Sequence, residues 1–202
     1  MDFGEWKSLH ICILKEDGFA EDELKELYLA WGKELELYKI RLHVSRQTTV
    51  ERPGFYGWDI LAYLRSLSLP SDCDRLVYLK GRKWSDIGFE FFSLGMLWGI
   101  GLKLEVQGAV ETETRTRGYI KGKYISTLQL LFTSPKSTLI HEGYHLLGCD
   151  HQLWMEACYV RIKTLKQAKE ENSKSETFFP GLDMRNQPIL KRELVDQTFL
   201  QP

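Results

Sequence analysis

Residues 134–151 read SPKSTLIHEGYHLLGCDH, and the meaning of this stretch governs the reading of the rest of the chain. Ser134 followed by Pro135 is a helix start, with serine as N-cap and proline at the first helical position, where its missing N–H costs nothing. The helix should run to about Leu147 and stop at Gly148, because glycine tolerates the left-handed backbone that ends a helix. Within it His141 and His145 are four apart, so both imidazoles share a face and can reach one metal ion. Glu142, one position after the first histidine, can lean toward the open position of such an ion without occupying it. Beyond the turn at Gly148, His151 can come back under the helix end and supply a third nitrogen. Three neutral imidazoles leave a fourth position for water, which is how catalytic rather than structural zinc is held. Cys149 lies between Gly148 and His151 and would have to replace a ligand rather than add one.

Upstream of this helix the chain alternates strand-like and helix-like segments. Leu9 to Leu14 is a short apolar run, and Glu21 to Leu37 places Leu24, Leu27, Tyr28, Trp31 and Leu35 at helical spacing with charges between. Tyr38 to Val44 reads as a strand. After the turn-prone ERPGFYG, residues Trp58 to Leu67 set Ile60, Leu61, Leu64 and Leu67 on one helical face, and Arg75 to Leu79 reads as a third strand. This order predicts an α/β (α+β) fold: a twisted, mostly parallel sheet covered by helices. Leu104 to Val110 suits an antiparallel edge strand, with the polar run ETETRTR (111–117) as a solvated edge. Thr127 to Phe132 reads as a buried strand. Leu153 to Lys169 has helical spacing, residues 178–188 form a turn region, and Leu190 to Leu200 suits a last short helix. The expected organisation is one domain, with a sheet-and-helix part over 1–148 and a small helical C-terminal lobe over 149–202.

The formal charge is −1, which argues against broad electrostatic attraction to nucleic acid or to anionic lipid. An apolar fraction of 43% rules out disorder as the global state. The longest apolar-looking stretch, Gly88 to Leu102, contains Glu90 and is too short for a membrane span. The N-terminus has acidic residues and no sustained apolar core, so a cytoplasmic protein is expected. In such a reducing compartment Cys12, Cys73, Cys149 and Cys158, with no CxxC pair among them, are expected as free thiols.

The pattern HExxHxxGxxH, His141 to His151, resembles that of the metzincin zinc metalloproteases. The specific match covers these residues only; elsewhere the likeness is one of element order, a strand–helix sheet followed by the zinc helix and a short C-terminal lobe. The resemblance implies one catalytic zinc ion on His141, His145 and His151, with Glu142 as general base, and a peptidase acting on a peptide or protein substrate. That substrate would lie extended along the edge strand near Leu104 to Val110. The clan also has a methionine turn beneath the zinc ligands; Met184, in PGLDMRNQ, suits that turn better than Met155. Archaemetzincins, a branch of similar length, carry a cysteine cluster after the third histidine. Here only Cys149 and Cys158 lie near, so a second zinc site of that kind is not expected.

Other readings compete at single positions. Glu156 or Asp150 is the alternative third ligand, and Tyr144 or Tyr159 is either an oxyanion stabiliser or, more simply, packing. His10 and His43 are read as ordinary strand residues. The rival functions are an inactive zinc-binding interaction module and a zinc hydrolase of a non-peptide amide, since the site's chemistry does not specify the acyl group.

Overall fold

The apolar run at the start of the chain forms β1 (Lys7–Lys15), the first amphipathic segment α1 (Glu21–Glu36), and the alternating stretch after it β2 (Ile40–Thr49). These are followed by α2 (Gly57–Ser66), β3 (Arg75–Lys80), β4 (Gly108–Val110), β5 (Arg117–Lys121) and α3 (Pro135–Leu146). The computed structural model describes residues 5–88, 107–123 and 134–149. The five strands make one sheet in the order β2-β1-β3-β5-β4. Every pairing is parallel except β4 with β5, so the mostly parallel sheet with an antiparallel edge strand is as the sequence predicts.

Alternation along the strands distributes two cores. Leu9, Ile11 and Ile13 of β1, Val77 and Leu79 of β3 and Ile120 of β5 pack against Leu24, Leu27, Trp31 and Leu35 of α1 and Leu139, Ile140 and Tyr144 of α3. On the other face Cys12, Leu76, Tyr78 and Tyr119 pack against Ile60 and Leu64 of α2. The central strand β3 is therefore buried at all its positions, whereas β2 is exposed over most of its length. α1 starts with Glu21, Asp22 and Glu23 in its first turn, where carboxylates offset the helix dipole, and the Glu23 carboxylate accepts the Ala20 N–H at 3.0 Å.

Three expectations change. The run ETETRTR is not a solvated edge: Glu111 and Thr116 are buried. The Glu111 carboxylate closes a tight turn by accepting the N–H groups of Glu113 and Thr114 at 2.6 and 2.9 Å and the Thr114 hydroxyl at 2.6 Å. That turn leads into β5, a strand the sequence reading missed, which lies inside the sheet between β3 and β4. Finally, the cysteines are not free thiols. Cys12 and Cys73 form a disulfide with Cα atoms 5.6 Å apart, and Cys149 is also disulfide-bonded, its partner lying outside the described residues. The free-thiol expectation came from an assumed compartment; the parallel pairing of β1 with β3 is what brings Cys12 to the loop that carries Cys73. The strand expected over 127–132 and the helices expected after Leu153 lie outside the described residues. Among the described residues no helix is long and apolar enough to cross a membrane.

The Cys12–Cys73 bridge joins residues 61 apart in sequence, for which loop-closure entropy sets a ceiling of roughly 4 kcal/mol. Replacing both cysteines by alanine should lower the free energy of unfolding by about 2–4 kcal/mol in denaturant titrations without reductant. Unchanged stability in the double variant would show that the bridge does not constrain the unfolded chain.

Candidate metal centre

α3 begins as its sequence demands. Ser134 Oγ accepts the Ser137 N–H at 3.1 Å, the Ser137 hydroxyl lies 3.0 Å from the Ser134 N–H, and proline occupies the first turn. From Ser137 onward the helix is buried almost all round, because it is wedged between α1 and the β5–β4 edge of the sheet. Tyr144 shows how it is held: its hydroxyl donates to Glu34 of α1 at 2.5 Å and accepts from Tyr38 at 3.1 Å. Tyr144 is therefore committed to packing α3 on α1, and the oxyanion reading is not supported.

His141 and His145 stand one turn apart with ring centroids 4.9 Å from each other and ring planes at 84°. His145 is 1% exposed, and its Nδ1 lies 2.9 Å from the Cys149 carbonyl oxygen. With Nδ1–H donating to that carbonyl, the tautomer keeps the Nε2 lone pair for coordination, the usual outer-shell arrangement of a metal-binding histidine.

Glu142 is buried against the edge strand. Gly108 of β4 makes the approach possible, since a Cβ there would come within 2.7 Å of Glu142 Cγ. One carboxylate oxygen, Oε2, is buried with no hydrogen-bond partner among the described residues. Burial pushes its carboxyl up to about 8, since a desolvated carboxylate disfavours its charge.

The helix ends at the expected glycine. Gly148 has φ +108°, the Gly148 N–H reaches the His145 carbonyl at 3.1 Å, and the Cys149 N–H reaches the Tyr144 carbonyl at 2.9 Å. This is the paired closure of a helix by a left-handed residue. Two arginines that the sequence reading did not single out complete it. Arg75 Nε donates to the Leu146 carbonyl at 2.9 Å, and Arg115 Nη1 donates to the Gly148 carbonyl at 2.8 Å. Arg75 is fully buried, and desolvation pulls its guanidinium down to about 10. Cation donors at this end also favour the negative pole of the helix. No local pattern marks them, because they come from 71 and 33 residues upstream of the carbonyls they cap.

The described residues fit a zinc ion. They offer two imidazoles one turn apart, one of them oriented by a carbonyl, beside a buried carboxylate with an unspent oxygen. Of the remaining predicted residues, His151, Asp150, Glu156, Tyr159, Met155, Met184 and Cys158 lie outside the described residues. Cys149 is in a disulfide and is not a thiolate ligand. His10 and His43 stack on each other across β1 and β2 at 5.1 Å, His10 Nδ1 lying 3.1 Å from Ser45 Oγ, apart from α3. Among the described residues Cys12, Asp72 and Cys73 also bring donor atoms together, but the two sulfurs are bonded to each other and neither is a thiolate.

No family model matches the sequence, and no curated protein does. Among solved structures, the crystal structure of archaemetzincin from Methanopyrus kandleri is similar at 13% identity and a TM-score of 0.48, over 94% of this chain and 93% of that one.

The burial of Glu142 sets a pH dependence for protein stripped of metal by chelation. A carboxyl raised from 4.5 to about 8 in the folded state binds its proton more tightly when folded. Its contribution is thus intact below pH 4.5 and is lost as pH rises toward 8, by at most ~1.4 kcal/mol per pH unit. Glu142→Gln should remove this loss, so the metal-free variant should be more stable than the metal-free parent at pH 8 and similar to it near pH 4.5. Parallel stability profiles for the two proteins would contradict the burial of an unpaired carboxylate.

Proposed function

We propose that this protein is a zinc-dependent peptidase of metzincin type. The observation that carries the reading is the placement of Glu142, with an unpartnered carboxylate oxygen on the turn that also carries His141 and His145 and against edge-strand residue Gly108. His141, His145 and His151 would hold the ion, the first two from α3 and the third from just past the Gly148 turn. When bound, zinc supplies Lewis acidity toward a water and toward the substrate carbonyl, bringing the pKa of the water to ~7.

The chain's own residues do the rest. Glu142 accepts a proton from the attacking water as the water oxygen bonds to the carbonyl carbon, and then delivers that proton to the departing amine. The His145–Cys149 carbonyl hydrogen bond fixes one ring in position throughout. β4 is antiparallel to β5 and ends the sheet among the described residues, so an extended peptide can add to it as a further strand, with its scissile bond brought beside Glu142.

Metal analysis of the purified protein, combined with cleavage profiling on an unbiased peptide library, tests the proposal. The expected result is zinc in the parent and in Glu142→Gln, with hydrolysis in the variant lower by at least ~10²-fold. Equal cleavage by the two proteins would remove Glu142 from the chemistry. Zinc binding with no cleavage of any peptide by the parent would instead support an inactive metal-binding module.

A further inference from the structure

Among the described residues the sheet has a second open edge, at the end opposite β4. β2 is its outermost strand, and it is exposed over nearly its whole length. Between β2 and α1 runs an open groove of about 990 Å³. Its floor and walls are apolar: Leu42 of β2 lies under Gly32 of α1, while Leu29 and Val44 are 55% and 40% exposed. Tyr28, on the helix wall, has a buried hydroxyl with no hydrogen-bond partner among the described residues. A long open strand edge beside a helix with apolar side chains between them is the geometry that accepts an extended peptide as an added strand.

The charges select the peptide. Lys25 and Lys33 line the helix side and Arg41 the strand side. Of the two acidic residues in the lining, Glu21 is already held by Lys15 at 3.1 Å and Gln47 at 3.0 Å, which leaves Glu36 beside Lys25 and Lys33 on the helix side. Arg41 shares the parity of His43 on β2 and lies over the Trp6 ring at 5.0 Å. β2 carries no acidic residue at all. Its side chains alternate, with Leu42 directed to the helix side and His43 to the other face, where it stacks on His10. A partner strand laid beside it would meet apolar groups on one face and, on the other, the Arg41 guanidinium and an Arg46 that already pairs with Asp72 at 3.3 Å. A second copy of this chain is disfavoured as occupant, because β2 carries no carboxylate, so β2 laid on β2 brings no opposite charge to Arg41.

We propose that the α1–β2 groove docks an extended segment of another protein in which acidic and apolar residues alternate, bound by strand addition to β2. The site is at the far edge of the sheet from Glu142 and does not depend on the reading of α3.

Fluorescence anisotropy with a fluorescein-labelled nonapeptide of alternating valine and glutamate tests this on the full chain. The acidic peptide should bind more tightly at low salt, and its valine–lysine counterpart should not bind. Leu29→Glu and Arg41→Glu should each weaken binding at least ~10-fold, with circular dichroism and melting unchanged because both residues lie at the surface. N-methylation of the peptide amides that face β2 should abolish binding, whereas methylation of the intervening amides should not. Equal binding of the lysine peptide, or binding that neither substitution changes, would overturn the proposal. A dimer in sedimentation that Leu29→Glu dissociates would overturn the choice of occupant.

Discussion

The carbonyl groups at the C-terminal end of α3 are the constraint on which the site depends. A helix leaves its last carbonyls without intrahelical partners, and here they are buried beside the start of the central strand. Gly148 closes two of them by reversing the backbone, while Arg75 and Arg115 take those of Leu146 and Gly148. Arg75 opens β3 and Arg115 belongs to the turn before β5, so the helix end is tied to two of the three inner strands of the sheet. The same reversal presents the Cys149 carbonyl to His145. One device therefore ends the helix, docks it and orients the His145 imidazole.

Burying a guanidinium such as Arg75 is tolerable because its donors meet carbonyls and not hydrocarbon. The fold repeats this solution beyond the opposite ends of the parallel strands. Arg52 holds Glu16 through two bonds at 2.8 Å and Asp86 through bonds at 2.6 and 2.9 Å, while Tyr78 donates to Glu16 at 2.8 Å. Arg52, together with the Lys83 N–H, holds the Asp86 carboxyl below its ordinary range despite burial. Glu16 follows β1, Arg52 follows β2 and Asp86 lies beyond β3, so the cluster fixes the loops at one end as the arginine caps fix the other. Between these two clamps the sheet presents Glu142 at one edge and an open groove at the other.

Much of this was legible in the sequence where the signal is local. The period of Leu24, Leu27, Trp31 and Leu35 defines α1, the Ser134-Pro135 pair starts α3, and Gly148 ends it with the positive φ its position required. What escaped depends on contacts distant in sequence. β5 was hidden because Glu111 looks like a surface charge until its carboxylate is seen closing a turn. The Cys12–Cys73 bridge follows from strand order, and spacing does not reveal it. Arg75 and Arg115 look like ordinary strand and turn cations until α3 is placed on them. Within the candidate site, ligand type and spacing singled out His141, His145 and Glu142 as candidates, but only the fold shows that Glu142 is buried against Gly108 and that Tyr144 is engaged with Glu34.

The central claim is that the turn at Gly148 completes a three-histidine zinc centre. Zinc K-edge absorption spectroscopy of the zinc-loaded protein tests it most directly, by counting and identifying the atoms around the ion. The account predicts three imidazole nitrogens and one further oxygen at ~2.0–2.2 Å with no sulfur, falling to two imidazoles in His151→Ala. A sulfur scatterer at ~2.3 Å, or a three-imidazole shell that survives the loss of His151, would contradict it.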